Sequence, residues 1–353
     1  MASSARRTDP ASASRRLLVL AEGHSDDPHY GKTARGVIRY RPETVVAVLD
    51  SRRAGETLGG VPIVGSVAEA RRFGPTTALV GVATAGGRFP PAWRELLKEC
   101  LANGLDVESG LHEFVSDDPE LVELAARHGA ELRDLRRPPG GLSVPTGANL
   151  THAATVVLTV GSDCAIGKMS VALELDAEAK RRGLASEFVP TGQTGIAIAG
   201  WGLSVDAVVS DFVAGAAERL VVEGVERGGE LLFVEGQGSL IHPAYSGVTL
   251  GLMHGAAPHA YVLCHLAGQR AVDGDERFPM PSLASLVELH ERISLLARPA
   301  RVAALALNTS LLGETEAQEA IEAAASETGL VADDPVRFGA DRLLDGVLTR
   351  TGQ

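Results

Sequence analysis

The stretch that decides the fold is Thr155-Val-Val-Leu-Thr-Val-Gly-Ser-Asp-Cys-Ala-Ile-Gly-Lys-Met-Ser170. Its first six residues form an apolar run of the kind found in strands that are buried on both faces of a parallel sheet. A glycine-rich turn then leads to Gly167-Lys168 and to a helical pattern that reaches Arg182 and ends at Gly183. A buried strand, a glycine-rich loop with a lysine and a helix together predict a phosphate-binding loop, or P-loop.

The loop departs from the usual P-loop pattern at two positions. Gly161 lies one residue early, with Ser162 in its usual place, and Met169 replaces the Ser or Thr that normally follows the lysine. Because that hydroxyl ligates Mg²⁺ in P-loop enzymes, its replacement weakens the case for magnesium-assisted nucleotide chemistry. Ser170 and Asp163 are the candidates to supply a Mg²⁺ ligand in place of the missing hydroxyl. The competing interpretation is a glycine-rich turn that binds no phosphate.

Three cysteines, Cys100, Cys164 and Cys264, lie far apart in the sequence. They form no CxxC pair and no His/Cys cluster at metal-ligand spacing, so we expect a reducing, cytoplasmic compartment and no metal site. Cys164 lies inside the loop, where a helix N-terminus favours a thiolate and an acyl carrier role is conceivable. No paired base is evident, and a small residue that fits the turn is the simpler interpretation.

Strand and helix patterns alternate on both sides of this loop. Before it, strands are expected at Leu17–Ala21, Val45–Leu49, Val61–Val64 and Ala78–Gly81, and helices around Gly31–Tyr40, Val67–Phe73 and Pro91–Asn103. After it, strands are expected near Glu187–Val189, Leu231–Val234, Ala260–Leu263 and Val302–Leu307, and helices around Val205–Val222, Ser282–Ala297 and Thr315–Thr328. This alternation predicts an α/β protein with mostly parallel sheets.

A segment rich in proline, glycine and arginine divides the chain into two predicted domains. We expect a disordered arm over residues 1–15, or else a transit peptide, and a Rossmann-like domain over 16–135. A linker over 136–150 and a P-loop NTPase-like domain over 151–353 follow. The first domain lacks a GxGxxG motif, which argues against dinucleotide binding there.

Composition narrows the classes of partner. The chain has 353 residues, of which 45% are hydrophobic and 22% charged, and its formal net charge is −12. Such an acidic protein repels nucleic acid and anionic lipid at long range, and no apolar run approaches the length of a membrane helix. We therefore expect a small-molecule substrate, with neither a nucleic-acid nor a membrane partner.

Several polar residues follow predicted strands of the second domain. Ligands bind open α/β sheets outside the carboxyl ends of their strands, so these residues should share one edge. Glu235 comes directly after Leu231–Val234 and is a candidate general base or metal ligand. The other candidates are Thr191, Gln193, Thr194, His242, His265, Arg270 and Asn308. Hydrogen-bonded structural histidines and a surface ion pair of the arginine are the competing interpretations.

Gly31-Lys32-Thr33 in the first domain matches the GK[ST] end of the P-loop pattern. Its glycine partner, Gly23, is too distant for the GxxxxGK[ST] spacing. A polar loop that runs into a helix is the simpler interpretation, and a substrate-side role for Lys32 is the other.

Four segments together are similar to a two-domain family long catalogued as of unknown function, which includes a D-glutamate N-acetyltransferase. These segments are Gly161–Ser170, Thr191–Gly195, Glu235-Gly-Gln-Gly-Ser239 with His242–Gly247, and Cys264 to Arg270. The resemblance extends over nearly the whole chain after residue 15. A more distant likeness is to dethiobiotin synthetase, an ATP-dependent P-loop enzyme with a threonine after the lysine.

The closer resemblance implies an acetyl-CoA-dependent N-acetyltransferase that acts on D-glutamate or a related acidic D-amino acid. A metal-poor P-loop can hold the phosphates of acetyl-CoA. The residues assigned to this co-substrate are Gly161, Ser162, Asp163, Cys164, Gly167, Lys168, Met169, Ser170 and Asn308. The catalytic candidates are Glu235 or His242 as base and Gln193 as donor; the substrate-binding candidates are Thr191, Thr194, His265, Arg270 and Lys32.

Two other functions stay open on the sequence. An ATP-dependent ligase or kinase would activate a carboxylate, with Lys168 on the γ-phosphate and Glu235 on Mg²⁺. A nucleotide-dependent regulator is disfavoured, because polar residues cluster at more strand ends than a switch requires. We also expect a homo-oligomer.

Overall fold

The structure is a computed structural model, and it describes residues 15–27, 30–82, 88–89 and 91–352. The arm predicted over residues 1–15 lies almost wholly outside the described residues. The described chain divides into two compact units. The first comprises residues 15–137 and Gln193–Ser204, and the second comprises Pro138–Gly192 and residues 205–352.

The first unit contains a seven-stranded sheet that is parallel apart from one hairpin between the strands Thr57–Leu58 and Val61–Val64. Its strands are β1 (Leu17–Leu20), β2 (Val45–Leu49), β3 (Thr57–Leu58), β4 (Val61–Val64), β5 (Thr77–Val80), β6 (Asp106–Ser109) and β7 (Leu132–Asp134), in the order β3-β4-β2-β1-β5-β6-β7. Its helices are α1 (Lys32–Tyr40), α2 (Val67–Ala70), α3 (Pro91–Ala102), α4 (Pro119–His128) and α6 (Gln193–Ala199). Central β1 is buried at every residue, as its apolar sequence requires.

The second unit contains a six-stranded parallel sheet. Its strands are β8 (Thr155–Gly161), β9 (Ser186–Val189), β10 (Leu231–Val234), β11 (Ala260–Leu266), β12 (Arg301–Asn308) and β13 (Val331–Asp333), in the order β13-β12-β11-β8-β10-β9. Its helices are α5 (Lys168–Arg181), α7 (Val213–Glu226), α8 (Ser246–Ala256), α9 (Leu283–Arg292), α10 (Glu314–Thr328) and α11 (Asp341–Thr351). Because β8 lies centrally, between β10 and β11, the loops that follow these three strands converge at one edge.

Residues 193–204 lie in the first unit, whereas the sequence placed them within the domain 151–353. Polar contacts explain the difference. The hydroxyl groups of Thr33 and Thr194 are 2.8 Å apart, and Arg136 donates to Oε1 of Gln193 at 2.7 Å. Ile196, Ala197 and Ile198, which follow in α6, are buried. The chain therefore leaves the second unit after Gly192 and returns at Val205.

The helix predicted over Val67–Phe73 is α-helical only to Ala70 and continues as a 3₁₀ turn. Two longer predicted helices also differ in extent from the observed ones. The helix predicted over Val205–Val222 begins only at Val213, after two 3₁₀ turns, because Val205 N–H is tied to Thr191 C=O at 3.0 Å. The helix predicted over Ser282–Ala297 ends at Arg292, where Ser294 donates its hydroxyl to Glu291 C=O. None of the helices in the described ranges is long and apolar enough to cross a membrane.

Candidate functional site

The predicted P-loop joins β8 to α5 in the second unit. The turn uses left-handed backbone at two positions, with φ of 55° at Ala165 and 114° at Gly167. Only glycine adopts the second of these readily. A side chain at Gly161 would meet Ile166 at 2.9 Å and the Lys168 side chain at 3.1 Å, so the early glycine lets the lysine fold back against the loop.

Lys168 is buried at the first position of α5. Its ammonium donates to Asp163 C=O at 2.6 Å. Burial lowers the pKa of Lys168, while attraction to Cys164, Asp163 and Glu235 opposes that shift. Among the described residues, no acceptor faces the backbone N–H groups of residues 165–169. The loop therefore presents a row of donors of the kind that binds anions.

Asp163 fastens a second loop to the P-loop. Its Oδ1 accepts from Cys164 N at 2.6 Å, and its Oδ2 accepts from Nε2 of Gln269 at 2.5 Å and from Asp273 N at 2.6 Å. The buried carboxyl group accepts in all three of these hydrogen bonds. Asp163 thus positions the loop 267–274, and it withdraws the Cys164 N–H from any ligand.

Glu235 lies at the carboxyl end of β10 and is 5% exposed. Its Oε2 accepts from Thr191 N at 2.9 Å and from Gly192 N at 3.1 Å, and Thr191 donates its hydroxyl to Glu235 C=O at 2.6 Å. Burial raises the pKa of Glu235 to about 7 against the lowering effect of these hydrogen bonds. A carboxyl group that titrates near neutral pH can take up a proton at physiological pH.

Close contacts with neighbouring atoms explain why the residue after Glu235 is a glycine. A side chain at Gly236 would lie 1.8 Å from Thr159 C=O and 3.0 Å from Cδ of Lys168. Gly236 N also donates to the hydroxyl of Thr159 at 2.9 Å. This close approach sets the Glu235 turn directly against the lysine of the P-loop.

His242 is buried and stacks on Tyr245, with ring centroids 4.6 Å apart. Its Nδ1 accepts from Ala244 N at 3.1 Å, so the neutral ring carries its hydrogen on Nε2. The tautomer makes His242 a donor at Nε2 and favours Glu235 as the base. One potential ligand atom from each of Asp163, Cys164 and His242 lies within 4.8 Å of the others. Oxygen, sulfur and nitrogen do not form the all-oxygen set that Mg²⁺ prefers.

His265 and Asn308 hold the P-loop in place. Nδ1 of His265 is 2.9 Å from the hydroxyl of fully buried Ser162, and burial lowers the pKa of His265. Asn308 donates to Ile166 C=O at 3.2 Å. Arg270 is exposed, one residue after Gln269, which contacts the P-loop through Asp163. Met169 and Ser170 are half-buried in the first turn of α5.

Three of the predicted residues, Lys32, Gln193 and Thr194, lie in the first unit. Lys32 is the exposed first residue of α1, and the contacts of Gln193 and Thr194 given above are within that unit. The remaining predicted residues belong to the second unit.

Sequence reasoning did not select Gln269, Asp273 and Gln237. The first two hold Asp163, and Gln237 donates to the hydroxyl of Thr191 at 3.1 Å. Gln237 stands inside the quoted Glu235–Ser239 motif, which was a usable signal. Gln269 and Asp273 carried no signal, because a backbone N–H or a lone amide gives no sequence pattern.

Family comparisons agree with this architecture. Residues 143–344 match a family described as "Domain of unknown function (DUF1611_C) P-loop domain", and residues 50–138 match "Domain of unknown function (DUF1611_N) Rossmann-like domain". The chain belongs to the DUF1611 family. The predicted α/β fold, with a Rossmann-like domain followed by a P-loop domain, is thereby confirmed, and so is the family resemblance.

Relatives and a solved structure cover almost the whole chain. A D-glutamate N-acetyltransferase of Tritonibacter scottomollicae is 37% identical over 94% of this chain and 97% of its own length. A protein of the same name from a Pseudoalteromonas species is 35% identical over 92% and 97%. The crystal structure of a DUF1611 family protein from Anabaena variabilis ATCC 29413 superposes with a TM-score of 0.88, at 40% identity over 95% of this chain and 99% of that one. The relatives' names are those of transferases.

Proposed function

We propose that the protein is an N-acetyltransferase that uses acetyl-CoA to acetylate the amino group of D-glutamate or a related acidic D-amino acid. The observation that carries the proposal is Glu235, a buried carboxyl group with a pKa of about 7 against the lysine of the P-loop. Two relatives named D-glutamate N-acetyltransferase, matched over nearly their full length, support the class of reaction, and their names suggest the substrate that the experiment below tests.

Acetyl transfer to an amino group requires a general base and hydrogen-bond donors. An amino acid is an ammonium ion at neutral pH, and it must lose a proton before its nitrogen attacks a thioester carbonyl. Glu235 is the base in this proposal. Negative charge then develops on the carbonyl oxygen, and Nε2–H of His242 is the donor to it in this proposal. When the adduct collapses, its C–S bond breaks, the nitrogen gives up a second proton to the departing sulfur, and CoA leaves as the thiol while the amide remains.

An ATP-dependent ligase or kinase is less well supported by the site. Met169 stands where P-loop enzymes carry the hydroxyl that binds Mg²⁺. The neighbouring cluster of Asp163, Cys164 and His242 offers a mixed donor set, which does not fit Mg²⁺. No step that uses ATP is therefore part of the proposal.

The test incubates the protein with acetyl-CoA or with ATP and a panel of D- and L-amino acids, and follows release of free thiol and of ADP together. We expect thiol release with acidic D-amino acids, no ADP, and full activity after exhaustive chelation. ADP release that is lost on chelation and restored by Mg²⁺ would instead establish the ligase or kinase. The homo-oligomer and the cytoplasmic location stay predictions, and sedimentation velocity tests the first.

A further inference from the structure

Lys168 and Glu235 lie too close together for Lys168 to bind the pyrophosphate of an acetyl-CoA molecule whose thioester reacts beside Glu235. The lysine side chain passes against Gly236, and the Glu235 charge acts on the lysine ammonium. The pantetheine arm between the pyrophosphate and the thioester of acetyl-CoA has the length of about four extended residues, or about 13 Å. A pyrophosphate on the P-loop therefore carries the thioester away from the base.

The charges of the loop also fit a single negative charge better than a pyrophosphate. Residues 161–170 contain one cationic side chain, Lys168, and it is flanked by the carboxyl groups of Asp163 and Glu235. Two loop N–H groups are already used, by Ser162 to Cys264 C=O at 3.0 Å and by Cys164 to Asp163. The N–H groups of residues 165–169, which have no acceptor within the part of the chain that the structure describes, suffice for the two oxygens of a carboxylate.

An acidic amino acid has the right dimensions for this pair of groups. Its α-carboxylate is one carbon atom from the amino group, and its side-chain carboxylate is only a few atoms farther away. A carboxylate on the P-loop thus leaves the ammonium beside Glu235, where the proton must be removed. The phosphates of CoA then bind elsewhere.

We propose that the P-loop, residues 161–168, binds a carboxylate of the amino-acid substrate and not the pyrophosphate of acetyl-CoA. The inference rests on the proposed function and assigns to this loop the acidic substrate as its ligand. It replaces the expectation, drawn from the resemblance, that these residues bind the acyl donor.

The test uses two acetyl donors, acetyl-CoA and acetyl-pantetheine, which lacks every phosphate. Lys168→Gln removes the cation, and Lys180→Gln is the matched control, because Lys180 lies on the same helix with half of its side chain exposed. We expect Lys168→Gln to raise KM for D-glutamate roughly tenfold or more with either donor, the loss of a hydrogen bond to a charged group. KM for each donor should change less than about twofold, and Lys180→Gln should change neither.

A rise in KM for acetyl-CoA that is absent with acetyl-pantetheine would place the pyrophosphate on the loop and overturn the inference. Equal effects on all KM values, or none, would overturn it as well. Wild-type protein that acetylates no acidic amino acid with either donor would refute the proposed function instead.

A second variant covers the case in which Lys168→Gln does not fold. Ala165 is exposed in the loop, and Asp and Asn tolerate its left-handed backbone. Ala165→Asp should raise KM for D-glutamate while Ala165→Asn does not, with both donors unaffected. If Ala165→Asp instead raises KM for acetyl-CoA alone, the loop binds the donor.

Discussion

At the scale of single residues, Glu235 sets the expected pH dependence of catalysis. Because its pKa is raised to about 7, the basic form is lost as the pH falls through 7, and kcat should fall with it. Glu235→Gln keeps an oxygen to accept from Thr191 and Gly192 but removes the base. We expect kcat to fall about 10²-fold or more, with the acidic limb of the pH profile abolished.

The raised pKa of Glu235 also predicts how stability depends on pH: stability should fall as the pH rises, whereas kcat should increase. Burial disfavours the charged form, so the folded-state pKa of Glu235 lies above its unfolded value of 4.5. The wild-type protein therefore loses stability as the pH rises from about 4.5 to 7, and the loss stays constant above that range. Glu235→Gln should raise Tm relative to wild type at pH 8 and not at pH 4. A lower kcat with no gain in Tm at pH 8 would show that the folded protein does not disfavour the ionised form of Glu235.

The sequence predicts that Arg270 binds a carboxylate of the substrate. If the P-loop binds one carboxylate of an acidic amino acid, Arg270 is the residue to bind the other. It is exposed within the loop 267–274 that Asp163 anchors, and an acidic protein needs local cations to attract an acidic substrate. Arg270→Lys keeps the charge and loses the planar fork. We expect KM for D-glutamate to rise and KM for the donor to stay nearly constant in steady-state kinetics. Equal effects on both would indicate a role in ordering the loop, and no effect would place Arg270 outside the site.

At the scale of elements, the connection between the P-loop and the loop 267–274 depends on one carboxylate. In either orientation, Asp163→Asn places an amide NH2 group against at least one of the three N–H donors of Cys164, Gln269 and Asp273. Leaving a buried donor unpaired should lower the free energy of unfolding by about 1–3 kcal/mol, measured by denaturant titration. Asp345→Asn, at an exposed ion pair with Arg182, is the control and should cost less than about 1 kcal/mol. Equal losses in the two variants would show that Asp163 does not anchor the loop.

The sequence predicted these elements unevenly, for physical reasons. Strands such as β8 and β10 are apolar throughout because both faces are buried, so composition alone located them and the residues at their ends. Edge strand β7, with Leu132 half-buried and Arg133 exposed, has no such pattern and was missed. The start of the helix at Val213 depends on a hydrogen bond from Val205 N–H to Thr191 C=O. The tautomer that makes His242 a donor at Nε2 depends on the Ala244 N–H, which donates to its Nδ1. Neither long-range pairing nor local backbone geometry of this kind is visible in residue type.

At the scale of the whole molecule, the path of the chain predicts what happens when the linker is cut. Residues 139–146 are mostly exposed, and a protease site inserted after Gly141 would separate the first 141 residues from the rest. Helix α6 nevertheless belongs to the first unit, which it joins through Thr194 to Thr33, Gln193 to Arg136 and a bond from Arg41 to Ile198 C=O at 2.9 Å.

We therefore expect the two fragments to stay together in gel filtration under native conditions and to separate in denaturant. Each fragment carries part of the first unit, so separating them exposes the apolar residues of α6 to water. Arg41→Ala combined with Thr194→Val removes two of the polar contacts and should let the cut fragments dissociate at a lower denaturant concentration. Fragments that separate in buffer alone would mean that α6 does not hold the first unit together.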